Sequence, residues 1–567
     1  MQKFSSLPYV RPDLAAYKKE VEAHVEKVRN AESYEALRKE WIAHSERTME
    51  IMTMRSIASI RNTVDTTDAF YDQEIRYFNS EFPAISLIAM QAEAALLNSP
   101  FVGDFEKEFG SILIQNMRAS LRFQDERLVP MQIKESELVR RYSRASATAV
   151  TEFRGKTVNF YGLLKQMESE DRKTRKEAFL AWSDLYQKIS GELDDVYDEM
   201  VALRSEMAKT LGFESYTDMA YLKRRRFDYG REEVKAFHEN VKKYITPACQ
   251  LLYDKQRQRL GLDKLCKYDE SLVFAGGNAD PEGTKDELIQ KALSMYKELS
   301  EETGEFFSFM VEYDLFDLES KPGKRPGGYC TSLPMYKAPF IFSNFNGTAA
   351  DMGVLTHEAG HAFEGYLAGR IQPLPALAHS TSEINEIHSM AMEHFTYPWM
   401  KNFFGEKTDM YLYDHLWGAL GVIPYMCVVD EFQHRVYDNP GMNRTERRKV
   451  WREIEKEFMP WRDYDGNAFL EEGGFWMQKQ HIFMYPFYYI EYALAQICAF
   501  QFYLKMLKDQ PSAWNDYVRL CKAGGSKGYF DLLKLADLEN PFTEKAVKET
   551  TEAVVMRLTE LEKKLGI

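Results

Sequence analysis

The stretch Asp351-Met-Gly-Val-Leu-Thr-His357-Glu358-Ala-Gly-His361 decides how this chain is interpreted. Apolar residues recur within it and after it at intervals of three and four, which predicts a helix beginning near Asp351. His357 and His361 are four residues apart, so both imidazoles leave the same helix face and can bind one metal ion. Glu358 lies about 100° around the helix from His357. It is therefore predicted to act at the edge of the site as general base and acid, without binding the metal.

Zinc is the metal that an H-E-x-x-H pattern on a helix indicates, and the pattern is specific in a chain with only 11 histidines. Zinc held by two histidines needs a third protein ligand and one open position. The metzincin continuation would place glycine at 364 and histidine at 367, but this chain has Glu364 and Leu367. The third ligand must then come from another element. A pair of buried core histidines without metal is the alternative explanation.

Three acidic residues of the next predicted helix compete for the third ligand position. A short turn precedes this helix, so it should lie antiparallel to the metal helix. A capping box with Ser380 accounts for Glu383, Glu393 lies about two turns deeper, and Glu386 lies one turn in. We predict that Glu386 binds the metal. Glu393 and Glu364 are then candidates to orient the histidines by hydrogen bonding.

Helical periodicity covers most of the remaining chain, with many Glu, Lys, Ala and Leu residues and few Gly or Pro. Successive amphipathic helices are predicted over 12–60, 65–100, 104–122 and 132–150. A helix that starts at Ser169-Glu170-Asp171 should run to about Ser190, and another should follow to about Leu211. The expected fold class is mainly α. We expect an N-terminal helical lobe over 1–195 and a catalytic helical domain over 196–567.

One segment, Lys321 to Gly347, departs from the helical pattern. Two extended runs, Tyr329 to Leu333 and Phe340 to Phe345, are joined by a proline-bounded connection and follow a Gly- and Pro-rich loop. This pattern predicts a β-hairpin or two edge strands just before the metal helix. Such a small sheet can hold an extended peptide by strand addition. A purely structural hairpin is an equally good interpretation.

Composition narrows the class of protein further. The net charge of −14 argues against a general binder of nucleic acid or of anionic membranes. Neither a secretory h-region nor a run of about 18 uncharged apolar residues occurs, so no signal peptide or membrane span is expected. Six scattered cysteines form no C-x-x-C pair, which argues against a thiolate zinc site or redox motif. They are too few for a disulfide framework, which suits a reducing cytoplasm. The basic run Lys223 to Arg226 is interpreted as a solvated helix end.

An aromatic segment near the C-terminus contains His481, Tyr485, Tyr488, Tyr489 and Tyr492. The spacing of Tyr485, Tyr489 and Tyr492 predicts one face of a helix, with a proline tolerated in its first turn. An aromatic core stripe would explain this pattern in isolation. In a chain that also carries a zinc motif, tyrosine hydroxyls and a histidine N–H are better explained as donors that stabilise an oxyanion.

The order of these segments resembles the thimet-oligopeptidase-type zinc metallopeptidases, and most closely their oligoendopeptidase F and Pz-peptidase branch. The resemblance is carried by the extended run Pro339 to Gly347, by His357-Glu-Ala-Gly-His361, by Glu386 with Ser389 and Glu393, and by His481 with its tyrosines. It extends from about residue 150 to 545, and the stretches Ser169 to Arg172 and Ala208 to Tyr216 also fit it.

This resemblance implies a helical ellipsoid of two lobes, with zinc deep in a central channel that admits oligopeptides and excludes folded proteins. It implies one Zn²⁺ per chain held by His357, His361 and Glu386, with Glu358 as general base and acid. It assigns substrate binding and oxyanion stabilisation to His481, Tyr485 and Tyr492, and less firmly to Tyr489. His481 and Tyr485 are four residues apart, whereas the thimet enzymes space the matching pair by five. The tyrosine that pairs with His481 therefore stays open.

The expected activity is zinc-dependent hydrolysis of internal peptide bonds in oligopeptides by a cytoplasmic enzyme, with no nucleic-acid or membrane partner. A homo-oligomeric state is compatible with this expectation. A helical zinc carboxypeptidase is the first alternative, because the same ligands serve both reactions. A non-catalytic helical scaffold with a structural zinc ion is the second.

Overall fold

The computed structural model describes all residues, 1–567, and consists mainly of α-helices with two small sheets. The predicted mainly α fold class is therefore confirmed. The helices are α1 (Leu14–Arg29), α2 (Tyr34–Val64), α3 (Ala69–Leu97), α4 (Val102–Phe109), α5 (Ser111–Arg122), α6 (Val129–Thr148), α7 (Phe160–Gln166), α8 (Arg172–Thr210), α9 (Tyr216–Lys223), α10 (Arg231–Asn240), α11 (Thr246–Arg259), α12 (Lys285–Leu299), α13 (Glu301–Glu312), α14 (Ala349–Ile371), α15 (Ser382–Phe395), α16 (Lys401–Phe404), α17 (Thr408–Gly421), α18 (Ile423–Asp438), α19 (Arg444–Phe458), α20 (Ala468–Glu471), α21 (Gln480–Met484), α22 (Tyr489–Lys508), α23 (Gln510–Ala523), α24 (Tyr529–Leu535) and α25 (Glu544–Leu565).

Five short strands form the two sheets: β1 (Thr151–Phe153), β2 (Lys156–Val158), β3 (Phe316–Glu319), β4 (Tyr329–Leu333) and β5 (Ala338–Phe345). β1 and β2 form an antiparallel pair, and the second sheet has the order β3-β5-β4. β4 pairs with β5 in antiparallel register, from Tyr329 opposite Phe342 to Leu333 opposite Ala338. This confirms the predicted hairpin. β5 is nevertheless the central strand, because β3 pairs with it in parallel along its other side, and β4 lies at an edge.

The chain divides into two compact units, each built from three separated stretches. Unit 1 comprises residues 1–124, 280–408 and 498–539, and unit 2 comprises residues 125–279, 409–497 and 540–567. The boundary expected between residues 195 and 196 does not coincide with this division, because both positions lie inside the single helix α8. Sequence order alone could not reveal this arrangement, because contacts between distant stretches define each unit.

Several helix boundaries differ from those expected. The stretch 12–60 contains two helices, α1 and the first part of α2, separated at residues 30–33. α8 is one helix of 39 residues, without the predicted interruption near Ser190. Asp171 rather than Ser169 caps it, and its side chain accepts hydrogen bonds from the backbone N–H groups of Lys173 and Thr174. Buried residues continue on both sides of Ser190, so tertiary packing outweighs the weak local helix propensity there.

Aromatic packing holds α14 against its neighbours in unit 1. The Phe363 ring stacks near Trp514 and Tyr517 of α23, at centroid distances of 5.7 and 6.3 Å. Phe395 at the end of α15 packs against the same two rings, at 5.1 Å from each. α14 and α15 therefore share a wall of buried rings on α23, which fixes both helices relative to each other.

The core of unit 2 is centred on Trp476. Its ring lies 4.9 Å from Tyr197 of α8, 5.5 Å from Phe432 of α18 and 5.4 Å from Phe483 of α21. All four side chains are fully buried. The short helix α21 is thus anchored by its apolar side, although five residues alone would not form a stable helix.

One helical stretch, Lys401–Asp438, is long and apolar enough to span a membrane by length and composition alone. Of its 18-residue test window, 67% is buried. The bent pair of α3 and α4 passes the same test when its two helices are taken together. Buried apolar helices are common in the cores of folded domains, so this finding is weak evidence for a span.

Candidate metal centre and active site

α14 presents His357 and His361 on one face, as their spacing predicts. The two imidazole centroids are 5.0 Å apart, with the rings nearly perpendicular. Each side chain is about three-quarters buried, with 24% and 23% of its surface exposed. The carboxylate of Asp351 accepts backbone hydrogen bonds from Asn346 and Gly347 and so holds the loop from β5 against the first turn of the helix. The metal motif therefore sits on a well-anchored helix and keeps a partly open face.

Glu386 of α15 completes a three-residue cluster with the two histidines. Its Oε2 atom lies 3.3 Å from His357 Nε2 and 3.4 Å from His361 Nε2. Ser389 donates a hydrogen bond of 3.0 Å to the same oxygen. Burial alone would raise the pKa of Glu386, but hydrogen bonds to His357 and His361 hold it well below its usual range. The carboxylate is thus ionised, as a metal ligand must be.

The close approach of α15 to the metal helix depends on Gly360. A Cβ atom at this position would lie 2.5 Å from the carbonyl oxygen of His388 and 2.6 Å from the Cα atom of Ser389. Both contacts are with backbone, which cannot move independently of α15. Gly360 is one of the two variable positions of the H-E-x-x-H pattern, and sequence reasoning gave it no role.

The donor set fits zinc. The three ligand atoms lie within 4.8 Å of one another, and they are two imidazole nitrogens and one carboxylate oxygen. Bonds of about 2.0–2.1 Å in a tetrahedron place neighbouring donors about 3.3–3.4 Å apart. The two nitrogen–oxygen separations match this requirement. Three protein donors leave one tetrahedral position for water or substrate, which is the arrangement of catalytic zinc sites.

Of the two acids expected to orient the histidines, Glu393 does so and Glu364 does not. Glu393 Oε1 lies 2.6 Å from Nδ1 of His357, so the other ring nitrogen points towards Glu386. Glu364 instead pairs with His379, at 3.0 Å from its Nδ1 atom. The hypothesis for Glu364 is therefore wrong, because its carboxylate faces the connection between α14 and α15.

For the other acid of α15, Glu383, the sequence predicts a capping box with Ser380. α15 begins at Ser382, with Thr381 at the N-cap position, and Glu383 is buried. The capping-box assignment is therefore wrong, although Glu383 is also absent from the metal-ligand cluster. His388 of the same helix lies outside this cluster, and its Nδ1 atom is 3.5 Å from Cys521 Sγ.

Glu358 lies beside the ligands without joining them. Its side chain is largely buried, and burial raises its pKa, while the two nearby imidazoles oppose that rise. A Cβ atom built on Gly328, just before β4, would lie 3.6 Å from Oε1 of Glu358. The start of the edge strand β4 and this carboxylate are therefore neighbours. A carboxylate whose pKa is raised is a stronger base and so is better suited to accept a proton from water.

In unit 2, four tyrosines surround His481. The centroid of its ring lies 4.8 Å from Tyr489, 5.9 Å from Tyr488, 6.1 Å from Tyr485 and 6.4 Å from Tyr492. Burial, together with the positive charges of Lys479 and Arg224, lowers the pKa of His481 to about 3. Its imidazole is therefore neutral near pH 7 and carries one N–H donor.

The three predicted tyrosines do not share one helix face. α21 ends at Met484 and α22 begins at Tyr489, so Tyr485 lies in the turn between them. Phe487 in this turn has a φ of 60°, a left-handed conformation that no helix contains. The aromatic spacing resembles a helix only by coincidence. Tyr485 is 49% exposed, which leaves its hydroxyl accessible to solvent.

Buried ion pairs hold this turn, and they correct the interpretation of the basic run at 223–226. Arg224 and Arg226 both pair with Glu491, whose side chain is fully buried. Arg226 also donates to the carbonyl oxygen of Phe487, and Arg224 lies 4.6 Å from the ring centroid of Tyr488. Arg224 and Arg226 are thus structural supports of the tyrosine turn and not part of a solvated helix end. The charge of Glu491 within an apolar run was the one sequence signal of this arrangement.

Tyr489 is the tyrosine that the resemblance assigns least firmly, and its hydroxyl group is hydrogen-bonded to Lys479. Lys479 donates a hydrogen bond of 2.9 Å to it and also lies 4.0 Å from the centroid of the ring. Tyr489 therefore contacts His481 with its ring, while its hydroxyl group is bound by Lys479.

The helical fold and the His-His-Glu cluster define a metal-dependent hydrolase of the H-E-x-x-H class. Sequence comparison agrees, since residues 165–552 match Peptidase family M3 and residues 4–123 match the Peptidase M3 N-terminal domain. The chain belongs to peptidase family M3 and hence to the metallopeptidases.

Solved structures are similar over the whole chain. Pz peptidase A, solved with an inhibitor, superposes with a TM-score of 0.92 at 40% identity, over 98% of this chain and 99% of that one. A candidate oligoendopeptidase F from Bacillus anthracis str. Ames gives 0.87 at 39% identity, over 99% and 98% of the two chains. These similarities confirm the resemblance to the oligoendopeptidase F and Pz-peptidase branch.

Curated relatives are more distant. Oligopeptidase PepF of Bacillus subtilis (strain 168) is 25% identical over 405 residues, which are 68% of this chain and 56% of that protein. The oligoendopeptidase F homolog of Borreliella burgdorferi is 24% identical over 408 residues, or 70% and 67% of the two chains. The matched part of the chain thus spans little more than half the length of the first relative.

Proposed function

We propose that this chain is a zinc-dependent endopeptidase that hydrolyses internal peptide bonds of oligopeptides. The cluster of His357, His361 and Glu386 carries the proposal, because its donor types and separations suit a catalytic zinc ion with one open position. Membership of family M3 and the names of its relatives, which include oligopeptidases and oligoendopeptidases, support the choice of substrate.

His357, His361 and Glu386 would hold one Zn²⁺ per chain, and Glu393 would keep the ring of His357 in the ligating tautomer. Bound zinc supplies Lewis acidity, which polarises a carbonyl group and makes water a better nucleophile. Glu358 would accept a proton from the attacking water and pass it to the leaving amine. Its raised pKa supports this role, because a weakly acidic carboxyl group accepts and returns a proton more evenly.

We assign substrate binding and oxyanion stabilisation to His481, Tyr485 and Tyr492. Neutral imidazole and phenol groups can donate hydrogen bonds to a developing negative charge. The lowered pKa of His481 supports a neutral donor, and the exposure of Tyr485 supports contact with a ligand. Tyr489 is given a lesser part, because Lys479 already binds its hydroxyl group.

The hairpin is proposed to align the peptide backbone. β4 is an edge strand, and an edge can pair with an extended peptide through main-chain hydrogen bonds. Its first residue follows Gly328, which lies beside Glu358. A peptide paired with β4 would thus run past the carboxylate that is proposed to act on the attacking water.

Two substitutions test the chemistry. Glu358→Gln should keep zinc and lower peptide cleavage by about 10²-fold or more, whereas Glu386→Ala should lose zinc. Metal content of the purified variants and cleavage of a quenched peptide, before and after chelation and zinc return, give the readout. Unchanged cleavage in a zinc-loaded Glu358→Gln protein would refute the role of Glu358 as general base. A zinc-loaded original chain that cleaves no peptide would favour a structural zinc scaffold. Full zinc content in Glu386→Ala would show that another acid is the third ligand.

A substrate with a blocked C-terminus distinguishes endopeptidase activity from carboxypeptidase activity. A peptide with a blocked C-terminus should still be cleaved internally, and mass spectrometry of the two products locates the bond. Release of single C-terminal residues from free peptides only would support the carboxypeptidase alternative.

We also propose a cytoplasmic location, supported by six scattered cysteines that form no disulfide. Cell fractionation tests it.

A further inference from the structure

A cavity of about 490 Å³ lies within unit 2 and is bordered by Tyr489 of the aromatic cluster. Cavities that bind small ligands have volumes of roughly 300–1,000 Å³ and are mostly apolar with a few polar groups. This cavity has the size and lining of such a site, and neither the metal cluster nor the oxyanion residues account for it.

Its walls are largely aromatic. Trp182, Trp417, Tyr425 and Phe475 line it together with Tyr489. The rings of Tyr425 and Tyr489 meet edge to face with centroids 6.0 Å apart, and Trp182 lies 5.8 Å from Phe475. Aromatic side chains prefer such edge-to-face neighbours. The walls therefore favour a flat apolar group.

Two of the three cationic side chains that line the cavity share one carboxylate, and the third, Lys479, is bound to the Tyr489 hydroxyl group. Glu270 pairs with Lys267 at 3.1 Å and with Arg462 at 2.8 Å. Burial raises the pKa of Asp414 to about 6, which weakens its charge near neutral pH. A charged side chain would lose its hydration in the cavity without gaining a dedicated partner, so an uncharged one is favoured.

Tyr489 joins the cavity to the residues proposed to bind substrate. Its ring centroid lies 4.8 Å from that of His481 and 5.8 Å from that of Tyr492. Lys479, which binds the Tyr489 hydroxyl group, also lines the cavity. A peptide held by His481 and Tyr492 would therefore have this cavity within reach of a neighbouring side chain.

We propose that the cavity is a specificity pocket that takes one bulky apolar side chain of the substrate, preferably an aromatic one. This inference rests on the proposed function, because the side chain in the pocket belongs to the peptide being cleaved. It adds a substrate class to that function, namely oligopeptides with an aromatic or large aliphatic residue at one fixed position from the cleaved bond.

Gly418 on α17 offers a direct way to fill the pocket. It lines the cavity, it is exposed, and a Cβ atom built on it would meet nothing within 4 Å. Gly418→Phe should thus place a ring in the cavity without a backbone clash. Gly191 on α8 provides the matched control, since it is also an exposed helix glycine with an unobstructed Cβ direction and lies outside the cavity lining. Both substitutions change helix propensity equally.

The first measurement is substrate preference. Quenched peptides that carry Ala, Leu, Phe or Trp at each position in turn are compared by kcat/KM. At one position the intact chain should prefer Phe over Ala by at least about tenfold. Gly418→Phe should lower that ratio at least about tenfold, and Gly191→Phe should leave it unchanged. A ratio unaffected by Gly418→Phe, or no preference at any position, would overturn the pocket while the peptidase activity stands.

The second measurement needs no peptide cleavage. Tryptophan fluorescence reports binding of N-acetyl-phenylalaninamide, with N-acetyl-alaninamide as the comparison ligand, because two tryptophans line the cavity. The intact chain and Gly191→Phe should bind the phenylalanine derivative at least about tenfold more tightly, and Gly418→Phe should lose this preference. If the preference appears without any peptide cleavage, the proposed function fails and the pocket stands. Equal binding of both ligands by the intact chain overturns the pocket.

Discussion

Gly360 lies in close contact with α15, so adding one methyl group at this position by Gly360→Ala should disturb the metal site. In Gly360→Ala, the new Cβ atom would lie 2.5 Å from the carbonyl oxygen of His388. An ordinary van der Waals separation begins near 3.4 Å, so the helices must separate by about 0.9 Å at this point. The displaced backbone is one turn from Glu386, whose carboxylate must meet both histidines.

The expected effect has two parts. Forcing extra volume into a packed core costs about 1–3 kcal/mol, which Gly360→Ala should lose in its free energy of unfolding. Metal ligands tolerate errors of only about 0.2 Å, so a shift of this size in Glu386 should also weaken zinc binding. We expect a loss of affinity of roughly 10- to 100-fold, comparable with other disturbances next to metal ligands.

Gly369→Ala is the matched control for this substitution. Gly369 lies on the same helix, and a Cβ atom there would meet nothing within 4 Å. Alanine is the better helix former by about 1 kcal/mol, so this variant should be as stable as the original chain or slightly more stable. Zinc affinity is measured by competition with a chromogenic chelator, and stability is measured by denaturant unfolding of the metal-free proteins. If Gly360→Ala keeps both properties of the original chain, α15 does not depend on this contact and the reasoning is refuted.

Two further substitutions test neighbouring groups. Glu393→Gln should weaken zinc binding roughly 10- to 100-fold, because Glu393 orients His357, whereas Glu364→Gln should not; equal losses in the two variants would contradict this assignment. Burial alone would lower the pKa of His238, but ion-pair contacts of 3.3 Å with each of Asp430 and Glu431 outweigh it and raise the pKa to about 9. Protonated His238 should thus contribute stability that is complete below pH 6.5 and is lost as the pH rises through 9, up to about 3 kcal/mol. Urea unfolding between pH 6 and 10 should show this loss in the original chain but not in His238→Gln, and parallel curves would contradict it.

The His-His-Glu cluster was predictable because it depends on short-range geometry. The period of the α-helix places His357 and His361 on one face in any fold that contains this helix. A short connection then brings the next helix back alongside, which limits the third ligand to a few acids. The choice of Glu386 agrees with the cluster found in the structure, whereas Glu364 turned towards His379.

The aromatic segment shows where periodicity is not enough. Tyr485, Tyr489 and Tyr492 have helical spacing, yet the left-handed residue Phe487 ends one helix and allows the next to begin. Arg226 lies about 260 residues earlier in the chain. Its guanidinium group holds that turn by donating hydrogen bonds to the carbonyl oxygen of Phe487 and to the carboxylate of Glu491. Such a contact cannot be inferred from a local pattern, because it depends on which distant stretches pack together.

The amino-acid sequence by itself thus determined the helical class, the hairpin beside the metal helix, and the placement of the two histidines and Glu358. Each follows from hydrogen-bonding period and residue chemistry over fewer than 30 residues. Only the tertiary structure decided how closely α15 approaches Gly360, which acid orients His357, and how buried arginines support the tyrosine turn. The interleaved stretches of the two units also belong to this second group. The physical reason is the same in each case, since close packing and the pairing of buried charges are set by contacts between residues that are remote in the chain.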